Sequence, residues 1–159
     1  ITGSSLKTDK ILGGAGNDIL NGSGGQLDNF DIINGGYGND TIIAEGKNTE
    51  ATGGPDQDIF KVSELEGKFV IKDFSANDDK VDLRDFLKSG SALTLNDIIT
   101  ASTDYSEGTV SGLKIDLSNW TKSDVSHTGS VIISGASVND ENQIELGDGN
   151  LLTGSNFFI

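Results

Sequence analysis

In the first sixty residues an apolar side chain recurs two positions after an aspartate. The pairs are Asp9 with Ile11, Asp18 with Leu20, Asp31 with Ile33, Asp40 with Ile42 and Asp58 with Phe60. The intervals between these aspartates are 9, 13, 9 and 18 residues. Thirteen is one period of nine plus a four-residue insertion within 22–31. Eighteen is two periods enclosing a degenerate unit at 44–52, where small Ala51 takes the apolar place. One inward residue per unit, at a fixed offset from its aspartate, predicts a series of very short strands. Two units then make one full coil, and each strand stacks in parallel on the strand 18 residues away.

Between the strands the chain supplies turns. A glycine pair opens three units: GGAGND (13–18), GGYGND (35–40) and GGPDQD (53–58). Glycines at positions one, two and four are expected to take positive φ and turn the backbone tightly, so that carbonyls converge on one spot. The aspartate at position six adds a carboxylate. A flexible glycine linker does not hold aspartate and apolar residues at a fixed offset.

Composition sharpens this picture. The chain has 159 residues, 22 of them glycine and only one proline, Pro55. Its 11 basic and 25 acidic groups give a net charge of −14, which repels phosphate backbones and disfavours nucleic acid as a partner. Cysteine is absent and His127 is the only histidine, so an oxygen-only ligand set is what remains for a metal. That set suits Ca²⁺ rather than zinc or copper. The same inventory offers no cysteine nucleophile and no partner for His127, so an enzyme is not expected. No apolar run is long enough to span a membrane. The chain starts at Ile1 without a Sec-type leader, which leads us to expect a longer parent protein.

The two full glycine–aspartate copies, the near copy and their shared phase resemble the calcium-binding repeats of the RTX family, G-G-x-G-x-D-x-U-x with U apolar. The resemblance covers residues 3–61. It implies an all-β chain: a short parallel β-roll at 1–62, capped by a small antiparallel β-rich region at 63–159. It also implies Ca²⁺ between loops one coil apart. The earlier loop gives carbonyls two and four and its aspartate; the later loop gives carbonyls one and three and its own. The first site would use Gly14, Gly16 and Asp18 with Gly35, Tyr37 and Asp40. The second would use Gly36, Gly38 and Asp40 with Gly53, Pro55 and Asp58. Asp56 stands where the family has the fourth-position glycine, but its loop contributes through positions one and three. The opposite edge leaves room for a third ion between Asp9 and Asp31, with Asp28. Thr49 brings no carboxylate, so that ladder is expected to stop there.

Residues 69–86, FVIKDFSANDDKVDLRDF, resemble the segment that closes RTX rolls in secreted proteases, lipases and adhesins. Val70, Phe74, Val81, Leu83 and Phe86 are expected to cover the open end, because an uncapped roll exposes a strand edge. Asp73 and Asp79 are candidates for a further ion at this junction. A short helix is expected at 95–101, and strands at 112–117, 131–134, 143–146 and 151–159, with Trp120 as a core or rim anchor. The ending GSNFFI, placed after such repeats, resembles the uncleaved C-terminal signal of type I secretion substrates.

The function these resemblances imply is a calcium-triggered folding and secretion module. It would close a large exported bacterial protein, an adhesin, with the type I secretion machinery as its partner during export. An extracellular or cell-surface location and a monomeric state are expected. The alternative is a glycan-binding module, since repeat modules of secreted mannuronan epimerases are similar in length and layout and bind alginate. Lys7, Lys10, Lys47 and Lys61 are the only basic residues of the roll, which disfavours a polyanion.

Overall fold

The computed structural model describes residues 1–4, 8–23, 30–46, 48–85, 93–118, 120 and 129–158. Asp28, Phe86, His127, Ile159, Lys7 and Lys47 lie outside them. The strands, in chain order, are β1 (Lys10–Ala15), β2 (Ile19–Asn21), β3 (Asp31–Tyr37), β4 (Thr41–Gly46), β5 (Thr49–Thr52), β6 (Ile59–Leu65), β7 (Lys68–Ile71) and β8 (Lys80–Asp82). A helix α1 (Leu95–Thr100) follows, then β9 (Ser102–Glu107), β10 (Val110–Asp116), β11 (Ser130–Ser134), β12 (Ser137–Val138) and β13 (Ile144–Glu145). A 3₁₀ turn (Gly154–Asn156) leads into β14 (Phe157–Phe158).

Odd-numbered strands β1, β3, β5 and β7 pair in parallel on one face, and even-numbered β2, β4, β6 and β8 on the other. The result is an all-β parallel solenoid of about three turns with a small antiparallel sheet beside it. The Asp-x-apolar pattern builds its interior directly. Ile11, Ile33, Ala51, Ile71 and Ile133 align in one column. Leu20, Ile42, Phe60, Val81 and Phe157 align in the other. All ten are buried in one cluster. Where Ala51 is small, Phe60 of the same coil is large, and its ring meets Phe69 and Phe74 at 6.2 and 6.0 Å between centroids. Burying a side chain of this size stabilises by roughly 1.5–3 kcal/mol.

The expected boundary between residues 62 and 63 falls inside β6, and both sheets run on past it. β11 adds to β7 in parallel, and β14 adds to β8 in parallel. Antiparallel pairing begins beyond, where β10 joins β11 and β9 joins β10. Val70, Phe74, Val81 and Leu83 are all buried as expected. Val81 differs in role: it is a member of the interior column rather than a cover over it. The helix forms where a capping box is written, with Thr94 accepting from the Asp97 amide at 3.3 Å and Asp97 accepting from the Thr94 amide at 2.8 Å. Trp120 packs partly buried against the core. No helix among the described residues is long and apolar enough to cross a membrane.

Candidate metal centre

One edge of the solenoid carries a carboxylate ladder. The Asp18 amide donates to Asp40 Oδ1 at 2.8 Å, the Asp40 amide to Asp58 Oδ1 at 2.8 Å, and the Asp58 amide to Asp79 Oδ1 at 3.0 Å. Asp40, Asp58 and Asp79 are thus each clamped by the coil before them. The second oxygen is treated differently. Asp40 and Asp58 are 1% and 0% exposed, and their Oδ2 atoms accept no hydrogen bond. A buried, unpartnered oxygen of this kind costs roughly 1–3 kcal/mol, and more when charged. Burial pushes the Asp58 carboxyl up to about 7, helped by repulsion from Asp79, Asp40 and Asp73 and opposed by the Asp40 amide. Burial raises Asp79 to about 6 in the same way, against the Ser75 and Asp58 amides, and raises Asp40 as well.

The orphan oxygens point into their own glycine turns. A methyl group on Gly35 would collide with Asp40 Oδ2, and one on Gly53 with Asp58 Oδ2; one on Gly13 would stand 2.9 Å from Asp18 Oδ2. This corrects the reason for the first glycine. Positive φ occurs at positions two and four, in Gly14, Gly16, Gly36, Gly38 and Gly54, and not at Gly13, Gly35 or Gly53. Position one is glycine because a carboxylate lies against its Cα. Asp56 obeys the positional demand, holding φ 84° at position four, and its side chain accepts the Gly38 amide at 3.2 Å.

The carbonyls of each loop point at the backbone of its neighbours. A methyl group on Gly36 would collide with the Gly14 carbonyl, and one on Gly38 would stand 2.6 Å from the Gly16 carbonyl. Positions two and four therefore point forward. One on Gly13 would collide with the Gly35 carbonyl, and one on Gly35 would stand 2.6 Å from the Gly53 carbonyl, so position one points back. The carbonyl of Tyr37, at position three, also points back and accepts the Gly16 amide at 2.8 Å. Pro55 lies exposed at position three of the last loop. Among the described residues no three His, Cys, Asp or Glu side chains converge as a metal cluster. A cation in these gaps would be held by two carboxylates and by carbonyls, an oxygen set that fits Ca²⁺.

On the opposite edge the Asp9 amide donates to Asp31 Oδ1 at 2.9 Å, and Asp9 Oδ2 packs against Gly3 as Asp31 Oδ2 packs against Gly22. The row then passes to Thr49 and on to Phe69, so no carboxylate follows Asp31. Asp73 is placed on the glycine-loop edge, but both its oxygens are engaged, accepting the Gly53 and Gly54 amides at 2.9 Å each.

Two features escaped the sequence reading, the first being the place in the ladder of Asp79, already a candidate ligand. Asp79 with Lys80 and Val81 repeats the Asp-x-apolar unit and forms the fourth rung; the signal was present, hidden by a 21-residue interval and a loop without a glycine pair. A second, exposed ladder runs beside the first: the Asn39 amide donates to Asn17 Oδ1 at 2.9 Å, and the Gln57 amide to Asn39 Oδ1 at 3.1 Å. The solenoid is compatible with an RTX-type β-roll. Comparison with family models, with curated proteins and with solved structures finds no match to the chain.

Proposed function

We propose that the chain is a calcium-triggered folding module in which Ca²⁺ enters the gaps between stacked glycine loops. The observation that carries this reading is the pair of buried oxygens, Asp40 Oδ2 and Asp58 Oδ2, that accept no hydrogen bond. The ion supplies a divalent charge against which both carboxylates can be buried ionised. Gly14, Gly16 and Asp18 with Gly35, Tyr37 and Asp40 would hold one ion. Gly36, Gly38 and Asp40 with Gly53, Pro55 and Asp58 would hold the next. The Asp58–Asp79 rung and the Asp9–Asp31 pair are further places with the same clamp geometry. Calorimetric titration tests the reading. We expect calcium uptake by the wild type, binding at least tenfold weaker in Asp40→Asn and Asp58→Asn, and no change in Asp148→Asn, an exposed carboxylate far along the chain. A wild-type chain that takes up no calcium at millimolar ion ends the reading.

The setting we propose is the C-terminal end of a large exported bacterial adhesin, threaded unfolded through a type I machinery and folded outside the cell. The support is the resemblance of 69–86 and of the final residues, together with the charge of −14, which opposes compaction where calcium is scarce. Deleting the last dozen residues is expected to abolish secretion. Unchanged secretion would remove the export assignment and leave the calcium argument standing.

A further inference from the structure

Along the carboxylate ladder, each aspartate carbonyl accepts a backbone amide from the next coil. Asp18 accepts from Thr41 at 2.8 Å, Asp40 from Ile59 at 2.8 Å and Asp58 from Lys80 at 2.9 Å. The Asp79 carbonyl is next in the series. Its donor is a side chain, Asn156 Nδ2 at 3.2 Å, which also donates to the Ala76 carbonyl at 2.8 Å. Asn156 Oδ1 in turn accepts from the Thr153 amide at 2.9 Å and the Thr153 hydroxyl at 3.3 Å. The carboxamide is 1% exposed and uses both donors and both acceptor positions. It stands in for the backbone amide of Asn156 itself, which lies in register with Lys80 just before β14 but donates to the Thr153 carbonyl at 3.0 Å. Asp73 does the same for the loop: the Gly36 amide has the Gly53 carbonyl as acceptor at 3.0 Å, whereas Gly54, one coil on, has Asp73 Oδ2.

We propose that residues 153–158 are a clasp on the last rung of the ladder, and that its closure is coupled to calcium loading at Asp58 and Asp79. This rests on the calcium reading above. Asp79 is gripped from two sides: its carboxylate holds the Asp58 amide, and its carbonyl is held by Asn156. The clasp is fastened at three further points. Lys80 Nζ donates to the Ser155 carbonyl at 2.6 Å, the Leu83 amide to the Phe158 carbonyl at 3.0 Å, and Arg84 lies 4.7 Å over the Phe158 ring. Phe157 closes the interior column and is 4% exposed. Asn156 is therefore a positioning residue for the Asp79 rung. Coupling of this kind is reciprocal, so calcium that favours the ordered rung favours the closed clasp to the same degree. Any partner that reads this terminal segment must do so before calcium closes it.

Hydrogen exchange on the full chain at stepped calcium concentrations tests the clasp. Residues 153–158 and the loops at 53–58 and 73–79 are expected to gain protection at one shared midpoint. Asn156→Asp, nearly isosteric but placing an oxygen against two carbonyls, is expected to remove protection from 153–158. It should weaken calcium at the last rung about tenfold and leave the Asp18–Asp40 gap unchanged. Protection of 153–158 already complete in chelator, or gained at a separate midpoint, overturns the proposal. So does an Asn156→Asp chain that binds every ion as tightly as the wild type. The midpoint comparison needs no variant, so it stands if the substitution prevents folding. Calcium-dependent protection of the loops without the clasp sinks the clasp alone; no calcium-dependent protection anywhere sinks the calcium reading as well.

Discussion

At pH 8 in saturating chelator the chain is expected to give the circular-dichroism spectrum of a disordered polypeptide, and with millimolar calcium a cooperative β-sheet spectrum. Asp18, Asp40, Asp58 and Asp79 stand one strand spacing apart. Two ionised carboxylates about 5 Å apart repel by roughly 3 kcal/mol at an effective dielectric near 20. Clamping Oδ1 of Asp40, Asp58 and Asp79 with an amide relieves part of this, but Asp40 Oδ2 and Asp58 Oδ2 gain nothing. An ion that binds only the folded state adds about 2.7 kcal/mol per site at a hundred times its dissociation constant. Two sites supply about 5 kcal/mol, the size of a small domain's whole stability. The interior columns alone are thin, since each coil contributes few large side chains and one contributes Ala51. A β-sheet spectrum that persists unchanged in chelator would falsify the switch.

Much of this architecture was legible along the chain, because one short unit is repeated and each copy does the same job. Asp followed by an apolar residue two places on is enough to assign the inward columns, the parallel stacking and the edge on which the carboxylates lie. The glycine pairs locate the loops. What was not legible depends on contacts between coils. The first glycine of each loop reads as a turn former, yet it is not among the positive-φ glycines and the requirement comes from the Asp carboxylate lying over it. Asp73 reads from the sequence as a candidate ligand at the junction, whereas its two bonds to the Gly53 and Gly54 amides, 20 and 19 residues away, show only in the fold. β9 is polar throughout and carries no apolar alternation, so only its pairing with β10 reveals it. Asn156 lies in the GSNFF stretch, and nothing local says that its carboxamide will take the place of its own backbone amide on the Asp79 carbonyl.

Without calcium, the chain is expected to become less stable as pH rises from 5 to 8, the reverse of ordinary acid denaturation. Asp58 and Asp79 are raised to about 7 and about 6 in the fold, and Asp40 is raised too. A carboxyl whose folded value lies above its unfolded value binds its proton more tightly when folded. Its contribution is complete below the unfolded value, near 4, and is lost as pH climbs through the folded value. Each such group changes stability by at most about 1.4 kcal/mol per pH unit within its window, so two or three together amount to several kcal/mol. The carboxylates held below the usual range, Asp82 beside Arg84, Asp116 at the Ser118 amide, Asp97 at Thr94, Glu107 beside Lys68 and Asp148 at Asn150, act with the opposite sign. Their stabilisation is lost only as pH falls through values below about 4.5, outside this window. With calcium saturating, protons and ions compete for the same oxygens, and the slope should invert: stability then falls as pH drops below about 6. Urea midpoints measured from pH 5 upward, clear of the isoelectric point near 4.1, with chelator and with calcium, give both slopes. Two slopes of the same sign would mean that the buried carboxylates of this ladder do not control folding.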